Sequence, residues 1–160
     1  MQQENRNEEI EHLVQLIVDA SSENEASFSR SIADALKELG RQGAPTLSIT
    51  ECHVIQEIGE NDNITAAHIA DSLKMTRGGI SKIIKRLEQK GYVAIHAKTN
   101  NKKEKCLTLT SLGESAQLAH RQIHKQKQAR LIRLLDAYSE SEKDILIRML
   151  RDFAKEENLL

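Results

Sequence analysis

The stretch from Ile64 to Gly113 constrains this chain more than any other. Ile64-Thr65 reads as a short extended entry, and Thr65 is a good N-cap for a helix from Ala66 to Leu73 with Ile69, Ala70 and Leu73 inward. Met75-Thr76 makes a turn. Thr76 can cap a second helix running to Gln89, whose Ile80, Ile83, Ile84 and Leu87 recur at the spacing of a buried helical stripe. Gly91 stands just past its end, where glycine commonly closes a helix. Tyr92-Val93-Ala94-Ile95 reads as a strand, Thr99 to Lys105 as a polar hairpin tip, and Cys106 to Thr110 as an alternating return strand.

Strand, helix, turn, basic helix and hairpin, in that order, outline a winged helix-turn-helix. The expected fold class is therefore mainly α with a small β-hairpin wing. In such a unit one helix enters the major groove of DNA while the hairpin reaches the backbone or minor groove beside it. The charge pattern agrees. Between Lys74 and Lys105 ten basic residues face only Glu88 and Glu104, a local charge of +8; the whole chain carries -1, so the remainder carries -9. A basic block inside an acidic protein is an electrostatic footprint for a polyanion.

On the second helix, Arg77, Ser81, Lys82 and Lys85 project from the face opposite the isoleucine stripe. Arg77 is the best base reader, because its fork can pair with N7 and O6 of guanine. Thr76, Ser81, Lys82 and Lys85 are suited to phosphates, and Lys102, Lys103 and Lys105 of the hairpin add attraction independent of sequence. Arg86 and Lys90 read as helix-end surface cations. Gly78-Gly79 within this helix costs propensity, about 1 kcal/mol each. It reads either as room for DNA to approach the backbone or as a first turn that frays without DNA.

Amphipathic helices flank this unit. Glu8 to Ala20 and Ala26 to Leu39 precede it, followed by a loop at Gly43-Ala44-Pro45 and a helix starting at Thr50 with Cys52, Val54, Ile55 and Ile58 inward. Capping boxes at Ser111-Glu114 and Ser139-Glu142 open two more helices. The expected organisation is residues 1–47 and 111–160 for dimerisation and 48–110 for DNA. The terminal helices are too apolar to serve one small winged unit. A second copy is the economical partner, and a two-fold protein suits a pseudo-palindromic site with half-sites about 10 bp apart. No apolar run approaches a membrane span, and the polar N-terminus is no signal peptide, so the expectation is cytoplasmic. Two Cys without paired spacing argue against a disulfide scaffold. Catalysis is not expected: there is no Gly-rich phosphate loop and no Ser elbow, and Cys52 and His53, as helix neighbours, do not face each other.

The succession Leu47-Ser-Ile-Thr50, Ile69-Ala-Asp-Ser-Leu73, Ile80-Ser81, Arg86-Leu-Glu-Gln-Lys-Gly-Tyr-Val93 and Leu109-Thr-Ser-Leu-Gly113 resembles the multiple-antibiotic-resistance regulator (MarR) family. The resemblance runs from about Ser48 to Gly113 in motif detail. It implies a homodimeric transcription regulator, typically a repressor, whose terminal helices interlock and whose DNA affinity responds to a small effector. The family's hairpin tip usually carries Asp-x-Arg. Asn101 and Lys103 stand there in this chain, which keeps the charge and loses the planar fork.

His120 and His124 are four apart, the spacing for two imidazoles on one metal ion. The family's zinc-responsive branch implies a third, His53, three residues beyond Thr50. It also places a His pair ten and fourteen residues beyond Thr110, where His120 and His124 stand. Its fourth ligand is a carboxylate from the first helical region, for which Asp34, Glu38, Glu23 and Glu25 are all open. A second metal site is not expected, since Cys52 stands where that branch has Glu. The rival effectors are a small phenolic anion and oxidation of Cys52 or Cys106. A non-regulatory architectural DNA binder is the alternative class.

Overall fold

The computed structural model describes residues 2–22, 25–98 and 101–157. Helices α1 (Gln2–Ser22), α2 (Glu25–Glu38), α3 (Ile49–Glu60), α4 (Ala66–Ser72) and α5 (Arg77–Gln89) lead into strands β1 (Val93–Lys98) and β2 (Asn101–Leu109), followed by α6 (Ser111–Leu135) and α7 (Glu140–Glu156). They fall into two compact units, 1–121 and 122–160, with the division inside the unbroken helix α6. The winged helix-turn-helix expected from the sequence is present, mainly α with one two-stranded antiparallel sheet.

The core of the first unit is aliphatic. Ile80, Ile83, Ile84 and Leu87 of α5 are all buried, together with Ile69 and Ala70 of α4, Val54, Ile55 and Ile58 of α3, and Phe28, Ile32 and Leu36 of α2. Each of the larger of these side chains contributes about 1.5–3 kcal/mol on leaving water. Leu73, expected inward, is only half-buried. Tyr92 is the one fully buried large aromatic, and its hydroxyl donates to the Pro45 carbonyl at 2.5 Å.

The hairpin is longer than its apolar pattern suggests. Pairing runs from Val93↔Leu109 to Ala97↔Lys105, then shifts register to Lys98↔Asn101. The polar segment read as a tip is therefore mostly strand. A two-stranded ribbon needs only its own backbone ladder, so it gives no alternating apolar signal where neither face is covered. Residues 99 and 100 lie outside the described residues. The expected strand at Ile64 is a single bridge to Leu107, whose N–H donates to the Ile64 carbonyl at 3.0 Å.

Thr65, Thr76 and Ser139 cap α4, α5 and α7 as the sequence predicts. Two helix starts differ. Ser48, not Thr50, caps α3, in a capping box with Glu51. Thr110, not Ser111, precedes α6: its Oγ1 accepts from the Gly113 N–H at 3.1 Å and donates to the Gly91 carbonyl at 2.6 Å. That second bond anchors the hydroxyl to the end of α5 and moves the helix start forward by one residue.

Gly113 is fixed by the same corner. A Cβ there would stand 2.1 Å from the Tyr92 carbonyl oxygen and 3.2 Å from the Leu109 Cβ. The Tyr92 backbone cannot yield cheaply, so Gly113→Ala is expected to cost about 2 kcal/mol of stability, measured by urea unfolding followed by circular dichroism. An unchanged midpoint would show that the corner opens freely.

Apolar side chains remain exposed on the terminal helices: Ile10, Leu13, Leu16 and Ile17 on α1, Leu131, Ile132 and Leu134 on α6, and Ile145, Leu150 and Phe153 on α7. Among the described residues no helix is long and apolar enough to cross a membrane.

Candidate DNA interface and metal centre

Helix α5 separates its two faces cleanly. Its isoleucine stripe is buried, while Arg77, Ser81, Lys82 and Lys85 are exposed on the other side. Thr76 Oγ1 accepts from the Gly79 N–H at 3.1 Å. Its hydroxyl proton remains available to a phosphate oxygen. The first turn is helical and capped, so the cap offsets part of the propensity cost of Gly78-Gly79. The two glycines differ. A Cβ at Gly79 would approach Thr76 Oγ1 at 3.0 Å, whereas one at Gly78 would meet nothing within 4 Å. Gly79 makes room for the cap, and Gly78 faces open space. On the wing Lys105 is exposed. The side chains of Lys102, Lys103 and Asn101 lie outside the described residues.

Arg86 and Lys90 are not free surface cations. Lys90 Nζ lies 2.8 Å from both carboxylate oxygens of Glu51 and donates to the Thr46 carbonyl at 2.8 Å. Arg86 Nε approaches the same carboxylate at 3.7 Å. Glu51 is 3% exposed and also closes the capping box of α3. The end of α5 is thus tied by charge to the start of α3. Starting α3 at Thr50, as the sequence reading does, misses both the Ser48–Glu51 box and the partner of Glu51, Lys90, 39 residues on.

Two residues beyond Glu51, α3 carries His53. Its ring centroid lies 5.6 Å from that of His120 on α6, and the Phe28 ring meets His120 edge-on at 5.9 Å. His120 is buried, and His53 is exposed. His124 follows one turn along the same continuous helix as His120, on the same face. Each of the three offers a ring nitrogen, and these atoms lie within 4.8 Å of one another. Three convergent imidazoles are a donor set that suits zinc and neighbouring divalent metals. The residues present therefore fit such an ion.

The four candidate carboxylates separate in the structure. Asp34 pairs with Lys37 at 2.9 Å on the surface. Glu38 is exposed. Glu23 lies outside the described residues. Glu25 accepts from the Ile49 N–H at 3.1 Å, at the start of the helix that bears His53, and stands one helical turn before Phe28.

The surroundings of Cys52 oppose the oxidation route. Burial, with the charges of Glu51 and Glu25 behind it, pushes the Cys52 thiol up to about 12. A thiol in that range is an inert core residue at neutral pH. Cys106 is buried as well.

Residues 47–105 match the sequence model of the MarR family. The HTH-type transcriptional regulator PchR of Bacillus subtilis is 27% identical over 129 residues, covering 79% of this chain and 76% of PchR. ZitR of Lactococcus lactis, described as a zinc-responsive MarR family member, has a similar fold, with a TM-score of 0.64 at 20% identity over 72% of this chain and 79% of that one. FabT of Streptococcus pneumoniae, solved in complex with DNA, has a TM-score of 0.62 at 23% identity over 92% of this chain and 99% of that one. The winged helix-turn-helix and the matched segment agree: residues 47–105 are a MarR-family DNA-binding segment, in a chain whose relatives are HTH-type transcriptional regulators.

Proposed function

We propose that this protein is a homodimeric, sequence-specific transcriptional repressor whose affinity for a pseudo-palindromic DNA site is set by a divalent metal, zinc first, held by His53, His120 and His124. The observation that carries the metal reading is the convergence of three imidazole nitrogens within 4.8 Å. The zinc response described for ZitR supports it. Bound at these histidines, the ion would supply charge and a fixed link between α3 and α6. Residues 1–47 and 111–160 are assigned to dimerisation, and 48–110 to DNA, with Arg77 reading a base and Thr76, Ser81, Lys82, Lys85, Lys102, Lys103 and Lys105 holding phosphates.

The link to DNA runs through α3. His53 and Glu51 share that helix, and Glu51 holds the end of α5 through Lys90. A ligand that favours one placement of α3 shifts the placement of α5 with it, and DNA affinity follows.

The test is fluorescence anisotropy on a palindrome-bearing duplex selected from random sequence, with and without zinc. Zinc is expected to change wild-type affinity at least tenfold, about 1.4 kcal/mol of coupling, and to leave the His120→Ala, His124→Ala double variant unchanged. Equal responses from both proteins would overturn the metal reading.

A second reading rests on a cleft of about 310 Å³ between α5 and the wing. Ile84, Ile95 and Leu107 line its apolar part; Lys85 and Lys105 are its cations, and Glu88 is the carboxylate against them. A small phenolic anion fits that chemistry. It would lower DNA affinity in the double His variant as in the wild type, which separates it from the metal.

A further inference from the structure

Among the described residues three helix ends close in the same way. At the end of α2, Gly40 and Arg41 donate to Lys37 and Leu36; after α5, Gly91 and Tyr92 donate to Glu88 and Leu87. After α4, Lys74 and Met75 donate to Asp71 and Ala70, at 3.3 and 2.9 Å. This turn needs one residue with positive φ, and glycine is the default because any Cβ is strained there. Gly40 and Gly91 fill it at φ 76° and 79°. At the third end the residue is Lys74, at φ 51°. Among the described residues Asn63 is the other non-glycine with positive φ, and Asn tolerates that region better than Lys does.

The charge is as unfavourable as the backbone. Lys74 stands two residues before Thr76, the cap of α5. The N-terminal end of a helix carries partial positive charge and prefers anions. The first turn of α5 contains no acidic residue and begins with Arg77. Lys74 is exposed, and among the described residues its ammonium makes no ion pair. Strain and repulsion thus meet at one residue, immediately beside the proposed groove-reading end of α5. A bound polyanion would relieve the repulsion, and strained positions of this kind are retained where function needs the side chain.

We infer that Lys74 is a direct contact to a DNA backbone phosphate, placed by the turn between α4 and α5 and additional to the contacts of α5 and the wing. This rests on the DNA-binding reading above. The contact is to phosphate, so it adds affinity and salt dependence on any sequence.

The test uses the full chain with Lys74→Gly, Lys74→Asn and Lys74→Arg. Melting temperature is read by circular dichroism, and affinity for an arbitrary duplex by anisotropy across a salt series. Lys74→Gly is expected to melt about 3 °C higher than wild type while binding DNA several-fold more weakly at about 0.1 M salt. The slope of log affinity against log salt should become shallower by about 0.9 per protomer. Lys74→Asn should share the weaker binding and shallower slope, and Lys74→Arg should keep the wild-type slope. Unchanged slopes for both Gly and Asn variants, with a wild type that binds, would overturn the inference alone. A wild type without salt-dependent binding would overturn the DNA reading as well. A Lys74→Gly protein less stable than wild type would remove the strain argument, leaving the Asn and Arg slopes to decide the contact.

Discussion

Glu51→Ala is expected to destabilise the protein by about 3 kcal/mol, a loss of the size seen when one partner of a buried ion pair is removed. The carboxylate is almost fully buried and holds Lys90 at 2.8 Å. Removing it leaves Lys90, itself mostly covered, with only the Thr46 carbonyl, and it deletes half of the α3 capping box. The lower end of the usual range applies because the Lys90 side chain keeps 28% exposure and so retains some water. Urea unfolding of Glu51→Ala, Lys90→Met and the double variant checks this. The double variant should be less destabilised than the two singles added together, because it leaves no unpaired charge. A Glu51→Ala cost below about 1 kcal/mol would mean that the pair behaves like an ordinary surface bridge. Since the same pair fixes α5 against the helix bearing His53, the surviving Glu51→Ala protein should also show a weaker zinc effect on DNA binding.

Glu51 also marks the boundary of what could be read from the sequence. The stripes of α3 and α5 were legible because burial imposes a local period, and Cys52, Val54, Ile55, Ile58, Ile80, Ile83, Ile84 and Leu87 all lie inside as that period requires. A carboxylate on the buried side of the first turn breaks the pattern, and what permits it is a lysine from another helix. Non-local pairing leaves no local trace. Thr110 and Ser111 illustrate the same limit at one residue's distance: both are good caps, and the Gly91 carbonyl chooses between them. The wing was found but its tip was read too wide, because an uncovered ribbon has no need to alternate. The His pair on α6 was legible from helical spacing alone. His53 joined it in the sequence only through the family resemblance, because its placement beside the pair depends on how α3 packs and leaves no trace in helical spacing. Lys74 was counted as charge and nothing more, since the positive φ that makes it unusual is a property of the turn.

Leu150→Glu is expected to convert a dimer into a monomer and to lower affinity for a full palindrome about a hundredfold, the penalty of losing the second linked binding lobe. A single exposed leucine would justify no such expectation. Helix α7, however, buries none of its residues in one copy, although Ile145, Leu146, Met149, Leu150 and Phe153 lie along one stripe. α1 and the later turns of α6 expose further apolar residues of the same kind. Amphipathic helices with an uncovered apolar side require a partner surface, and the proposed two-fold self-association would provide it while matching a two-fold DNA site. Leu150 lies in the middle of the stripe, so a carboxylate there would have to be desolvated without a partner. Sedimentation equilibrium should give the wild type twice the chain mass of 18.0 kDa and the variant the single mass. Anisotropy should then show the variant binding an isolated half-site as well as wild type does, with the loss confined to the full palindrome. A wild type that sediments as a single chain, or a variant that dimerises normally, would remove the dimer from this account and leave the apolar stripe of α7 to another partner.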